Sequence, residues 1–286
     1  MKDQLNRYLF ENVHVRGELV QVSNSYNEII KSHDYPAPVN HLLGQLLAAT
    51  AMMTALLKFE GDIAVQIQGE GPVPMIVVNG NDKQELRAVA NVTGDVTTTN
   101  LNELFTKGYM VITITPTQGE RYQGIVGLDK DTIGGCLEAY FEQSEQLKTH
   151  FWLRANDDNA AGMMIQALPE ESVNQDDEYD NLRQLSATIK DEELFSLEPN
   201  VILNRLYHQE EVRVFDPQSL SFKCTCSAER SGNAIISIGR EEAESIIAEQ
   251  GAITMQCDYC NTVYKFGNND VASLFNDPEE NNKKIH

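Results

Sequence analysis

Four of the five cysteines in this 286-residue chain form two close pairs, Cys224-Thr-Cys226 and Cys257-Asp-Tyr-Cys260, with thirty residues between them. Four thiolates match the tetrahedral preference of zinc, whose bonds to sulfur are near ~2.3 Å. Two close pairs joined by one short folded stretch let each pair take one edge of the tetrahedron. From Phe222 onward the chain has few large apolar side chains. A unit that small usually needs a staple, and structural zinc supplies on the order of 10–16 kcal/mol of apparent binding energy. Cys224, Cys226, Cys257 and Cys260 are the expected ligands of one zinc ion per chain.

By spacing alone the plain reading is a structural zinc ribbon that recruits a partner. Two features add a redox reading. Zinc-held sulfurs stay deprotonated, and this site has Lys223 and Arg230 beside its first pair and Asp258 inside its second, so a partly exposed cluster remains open to oxidants. Each pair can also close on itself. Cys257-x-x-Cys260 has a common redox spacing, whereas Cys224-x-Cys226 closes a smaller, more strained ring. Closing either pair removes two ligands and the energy that held the small unit folded. A thiol–disulfide oxidoreductase would need its CxxC at a helix N-terminus. CDYC reads instead as a knuckle between two short strands, so no catalytic residue is expected and the chain is not expected to be an enzyme.

The elements that must position this cluster read as α+β: an N-terminal mixed α/β core, a helical linker and a small C-terminal zinc-binding domain. The expected bounds are 1–174, 175–221 and 222–286. After Asn40, apolar residues run nearly all round a helix to Leu57, which suits full burial. Strands are expected over Asp62–Gly69, with Ile63, Val65 and Ile67 on one face, and over Met75–Val78, Leu86–Val92, Tyr109–Pro116 and Tyr122–Leu128. A helix over Thr132–Leu147 and strands over Phe151–Arg154 and Met163–Leu168 close the core. Cys136, the fifth cysteine, lies on that helix as a small buried apolar residue. From Glu170 to Glu198 ten acidic residues face Arg183 and Lys190, and Tyr179, Leu182, Leu185 and Ile189 trace an amphipathic stripe. Pro199 breaks this helix and Val201–Tyr207 forms another. Such short helices would be marginal alone but could dock on an apolar surface. In the last section a helix over Glu241–Gln250 stops at Gly251, strands over Ala252–Gln256 and Thr262–Phe266 flank CDYC, and Asn269 or Asp270 caps a final helix before a fraying tail.

Composition narrows the partners. A formal charge of −21 repels phosphates, and from Phe222 onward there are six basic and ten acidic residues, so nucleic acid fits poorly. The N-terminal residues lack the apolar core of a secretory signal, and the most apolar stretch, Leu42–Leu57, falls short of a membrane span of about 20 residues. A cytoplasmic protein, with no membrane partner, is expected. The six histidines are scattered, and His208 is not needed as a ligand beside four cysteines.

At this point a resemblance carries further. VRGELV at Val15–Val20, LLGQLLAATAMMTALLKFEGDIAVQIQGEGPV at Leu42–Val73, GERYQGIVGL at Gly119–Leu128 and CLEAYFEQSEQL at Cys136–Leu147 are similar to segments of the heat-shock protein 33 family of redox-regulated chaperones. So are RLYHQEEVRVFDP at Arg205–Pro217, FKCTCSAER at Phe222–Arg230 and CDYCNTVYKF at Cys257–Phe266. The resemblance implies a client-binding core, a metastable linker and a zinc switch that is inactive, monomeric and zinc-bound when reduced. It implies Cys224–Cys226 and Cys257–Cys260 disulfides on oxidation, zinc release, linker unfolding and homodimers. An ATP-independent holdase would then bind unfolding proteins and later pass them to ATP-dependent refolding chaperones. Two residues depart from the family pattern: Ala161 and Asn261 stand where glycine is usual, which alters local backbone freedom and leaves the four ligands in place.

Overall fold

The computed structural model describes residues 2–169 and 175–276. The chain divides into two compact units, one ending at Lys223 and one beginning at Cys224. In chain order the first unit carries β1 (Gln4–Phe10), β2 (Val15–Val22), α1 (Asn24–Lys31), α2 (Ala37–Ala55), β3 (Gly61–Gln68), β4 (Met75–Asn81) and β5 (Glu85–Asn91). It continues with α3 (Leu101–Phe105), β6 (Tyr109–Pro116), β7 (Tyr122–Gly127), α4 (Ile133–Tyr140), β8 (Thr149–Ala155) and β9 (Ala160–Ala167). It closes with α5 (Gln175–Ser186), α6 (Asp191–Ser196), α7 (Pro199–Tyr207), β10 (Val212–Val214), β11 (Gln218–Ser219) and β12 (Ser221–Phe222).

Two six-stranded sheets share the unit. One runs β10-β1-β2-β9-β8 with β11 also on β1, and the other runs β12-β5-β4-β3-β6-β7. Helix α2 lies between them and is buried nearly all round, from Val39 to Met53. Small residues let the layers close. A Cβ added at Gly44 would lie 2.8 Å from Ala155 Cβ, and one added at Gly80 would lie 2.7 Å from Thr54 Cγ2. As the alternation requires, Ile63, Val65 and Ile67 all point into this core. The helix expected over Thr132–Leu147 is α4 followed by a π turn at Phe141–Glu145. It begins at a Thr132 cap and ends at Gln146, whose φ is 56°.

The acidic helices do dock on an apolar surface. Tyr179, Leu182, Ile189, Leu194, Ile202, Leu203 and Leu206 form a second core with Tyr8, Phe10, Val15, Leu19, Met163 and Ile165, which line the face of β1-β2-β9 turned away from α2. Polar ties fix the register. The Gln21 side-chain amide donates to the carbonyls of Leu194 and Leu197 at 2.8 and 3.0 Å, and the Ser186 and Tyr207 hydroxyls share a hydrogen bond. Pro199 stands at the first turn of α7, where its missing N–H costs nothing. The expected boundary after residue 174 falls at residues 170–174, which lie outside the described residues, as does the expected fraying tail from 277 onward.

The second unit comprises α8 (Ala228–Ile238), α9 (Arg240–Gln250), the hairpin β13 (Ile253–Gln256) and β14 (Val263–Phe266), and α10 (Asn268–Asn276). Gly251 ends α9 with φ 76°, as its position in the sequence suggested. Helix α8 has no counterpart in the sequence reading.

Candidate metal centre

The hairpin that carries CDYC brings its two sulfurs to one point because the turn is closed by backbone bonds. Cys257 N–H donates to the Thr262 carbonyl at 2.9 Å, and Asn261 N–H donates to the Cys257 carbonyl at 2.8 Å. Asn261 closes the knuckle with φ 56°. Asparagine is one of the few side chains that tolerate this left-handed conformation, which explains how it stands in for glycine. Cys224 and Cys226 lie on the extended stretch between β12 and α8. That stretch is held by Ser227, whose side chain caps α8 by accepting from Arg230 N–H, and by the Arg230 guanidinium, which donates to the Thr225 carbonyl and hydroxyl at 3.1 and 2.8 Å.

All four sulfurs lie within 4.8 Å of one another. Cys224 Sγ is 3.5 Å from Cys257 Sγ, and Cys226 Sγ is 3.4 Å from Cys260 Sγ. These separations are far longer than a disulfide bond of about 2.05 Å and close to the ~3.8 Å edge of a tetrahedron with ~2.3 Å metal–sulfur bonds. The cysteines are free and half-buried. The donor set, its convergence and its partial exposure therefore fit a metal ion of the kind that prefers four thiolates.

Neighbouring groups differentiate the sulfurs. Burial pushes the Cys224 thiol up to about 12. Burial also raises Cys260, but hydrogen bonds with the side chain and backbone of Thr262, and with Cys226 and Cys224, outweigh it and bring the thiol down to about 6. Thr262 Oγ1 lies 3.2 Å from Cys260 Sγ, and Tyr264 Oη donates to Cys226 Sγ at 3.2 Å. These two hydroxyls escaped the sequence reading. The signal for them was the alternation after CDYC, which sends residues 262 and 264 to the same side of the chain that enters β14. The ammonium of Lys223, the residue before Cys224, pairs with Glu85. Cys136 is fully buried on α4, with its sulfur 3.8 Å from the Lys130 carbonyl, as expected of a packing residue. His208 is exposed at the end of α7 and outside the cluster. No helix among the described residues is long and apolar enough to cross a membrane.

Fold and site together define a two-unit protein whose smaller unit gathers four cysteines that could hold a metal ion. The model of the family described as Hsp33 protein matches residues 3–267. The 33 kDa chaperonin of Shewanella woodyi is 58% identical over 279 residues, 97% of each chain, and that of Shewanella sediminis is 55% identical over the same length and shares. The crystal structure of the 33 kDa chaperonin (heat shock protein 33 homolog) of Thermotoga maritima matches with a TM-score of 0.81, covering 95% of this chain and 97% of that one. At 20% identity that last likeness is one of fold. The chain belongs to the Hsp33 family, a family of chaperones.

Proposed function

We propose that this chaperone is an ATP-independent holdase switched by oxidation of its own cysteines. The observation that carries the reading is the convergence of four reduced thiols in a unit joined through β10 to β12 to helices packed over an apolar sheet face. In the reduced chain Cys224, Cys226, Cys257 and Cys260 would hold one zinc ion, which when bound supplies a cross-link between α8 and the β13–β14 hairpin. With hydrogen peroxide as oxidant, one thiolate of a pair becomes a sulfenic acid, and its partner displaces water from it to form the disulfide. Cys257–Cys260 and Cys224–Cys226 are the proposed pairs; each disulfide takes two ligand sulfurs out of use.

The second unit then loses the cross-link on which its small core depends, and the segment joined to Cys224 loses its folded anchor. Helices α5 to α7 are bound mainly through one apolar face. Their departure would uncover Tyr8, Phe10, Val15, Leu19, Met163 and Ile165, an apolar sheet surface suited to unfolding polypeptide. The charge of −21 keeps the resulting complexes dispersed. Homodimers in the oxidised form, a reduced monomer, a cytoplasmic location and transfer of clients to ATP-dependent refolding chaperones complete the reading.

The test compares suppression of aggregation of a denatured client by metal-loaded reduced chain and by peroxide-treated chain, with released zinc measured in parallel. Protection is expected after peroxide, together with release of about one zinc per four thiolates. Retained zinc after peroxide, with no protection, would leave a structural zinc ribbon in its place.

A further inference from the structure

The segment that leads from the linker helices to Cys224 is seated like a bound peptide. Strands β10 and β11 pair antiparallel with β1, and β12 pairs parallel with β5. Its N–H groups bond to both sheets in turn: Leu220 donates to the Asp3 carbonyl at 3.0 Å, Ser221 to that of Gln84 at 3.1 Å and Lys223 to that of Leu86 at 2.9 Å. Its side chains alternate as well. Leu220 is buried in the main core and Phe222 packs against that core, while Ser219 and Ser221 are exposed. The Lys223 ammonium ends on the Glu85 carboxylate. Main-chain bonds along a sheet edge, with pockets for alternate side chains, are how an added strand is recognised. The seat is imperfectly filled. Gln218 Oε1, at the start of the segment, and Oε1 of Gln84, whose carbonyl accepts from Ser221, are buried without a hydrogen-bond partner, which lowers the cost of vacating the seat.

We propose that, once this segment is released, its seat on the edges of β1 and β5 binds an extended stretch of client polypeptide of the pattern apolar–x–apolar–basic. Leu220, Ser221, Phe222 and Lys223 act as an internal placeholder for it. The inference rests on the holding role proposed above and names the client feature that role would recognise. Alternation of apolar and polar residues is the mark of a half-buried strand, which unfolding proteins expose. Withdrawal of the placeholder leaves unpaired backbone groups on two edges, which are a template for such a strand. Parallel pairing to β5 sets its direction, and Glu85 selects a cation at its end.

A fluorescent peptide of residues 218–223, QSLSFK, titrated against the full chain by fluorescence polarisation, tests this. Peroxide-treated chain is expected to bind it more than tenfold tighter than reduced, metal-loaded chain. A peptide with serine in place of leucine and phenylalanine should bind more than tenfold weaker. Glutamate in place of its lysine should cost about threefold, and that loss should vanish on a Glu85→Gln chain. Peroxide-treated chain that protects a client yet binds QSLSFK no better than the serine peptide overturns the proposal and leaves the holding role intact. A second arm needs no oxidant. Lys223→Glu sets two carboxylates against each other and loosens the placeholder without altering a core side chain, with fold and metal content checked by thermal unfolding and zinc assay. The reduced variant should gain binding of QSLSFK, and absence of that gain overturns the proposal even where peroxide fails to activate the chain.

Discussion

The unit ending at Lys223 wraps α2 between two sheets and buries a second core beneath α5 to α7, whereas the unit beginning at Cys224 buries Ile235, Ala243, Ile253, Phe266 and Val271. Both contain helices and strands, but the first closes by packing and the second has little to pack. Its helices expose most of their length, and Ile238 and Val263 face solvent. What the second unit has instead is four sulfurs at one point. A fold held by packing is insensitive to thiol chemistry; a fold held by thiolates is as stable as their ligation allows. Helices α5 to α7 belong to the first unit, pack there mainly through one apolar face, and are joined to Cys224 through β10 to β12.

The contrast can be broken at several strengths. Metal removal is the strongest. A chelator should unfold the residues from Cys224 onward, since it withdraws on the order of 10–16 kcal/mol of binding energy, while the main core keeps its own thermal transition. Circular dichroism with a zinc assay follows both. Cys257→Ser should lower the metal content below one per chain by the same logic, and tight metal retention in that variant would remove Cys257 from the ligand set. Next is Leu182→Ala, which empties a buried site beneath α5 and should cost roughly 2–5 kcal/mol. Denaturant unfolding should register it, and the reduced variant should protect a client in part.

A pH test concerns the first unit alone. Burial pushes the Glu18 carboxyl up to about 8, against the opposing pull of Arg16 and Arg7. Between the ordinary carboxylate value and about 8 the folded chain holds a proton that the unfolded chain releases. Glu18 therefore lowers stability as pH rises through that window and has no further effect above it. Glu18→Gln should flatten this fall in urea midpoints measured from pH 5 to 8. The smallest effect is expected from Tyr207→Phe, which removes the hydroxyl bonded to Ser186 but keeps the edge-on packing against Phe10, with ring centroids 4.9 Å apart. It should cost about 0.5–1.5 kcal/mol in the same assay.

The same two regions differ in how plainly the sequence announced them. The convergence of the four cysteines was readable because it follows from residue type and spacing, and β6 was readable at both ends because its apolar residues alternate without interruption. Strands β1 and β2 were not assigned. They bury Asn6, Glu18 and Gln21 among their apolar residues, and those polar groups mask the alternation. Helix α8 was missed for a different reason. Ser231, Gly232 and three isoleucines make a poor helix by propensity, but Gly232 lets Leu274 of α10 approach: an added Cβ would lie 2.8 Å from Leu274 Cδ2. Tertiary packing decides that element. The stripe from Tyr179 to Ile189 announced a docking face, but its acceptor on β1-β2-β9 became visible once the sheet was assembled.

Hydrogen exchange read by mass spectrometry, on reduced metal-loaded chain and on peroxide-treated chain, weighs the two units against each other in one run. Oxidation is expected to strip protection from residues 224–276 and from α5 to α7, while β3, β4 and β6 exchange as slowly as before. Unchanged protection across 224–276 after both cysteine pairs have closed would show that the small unit stands without its thiolates, and the switch built on them would fall.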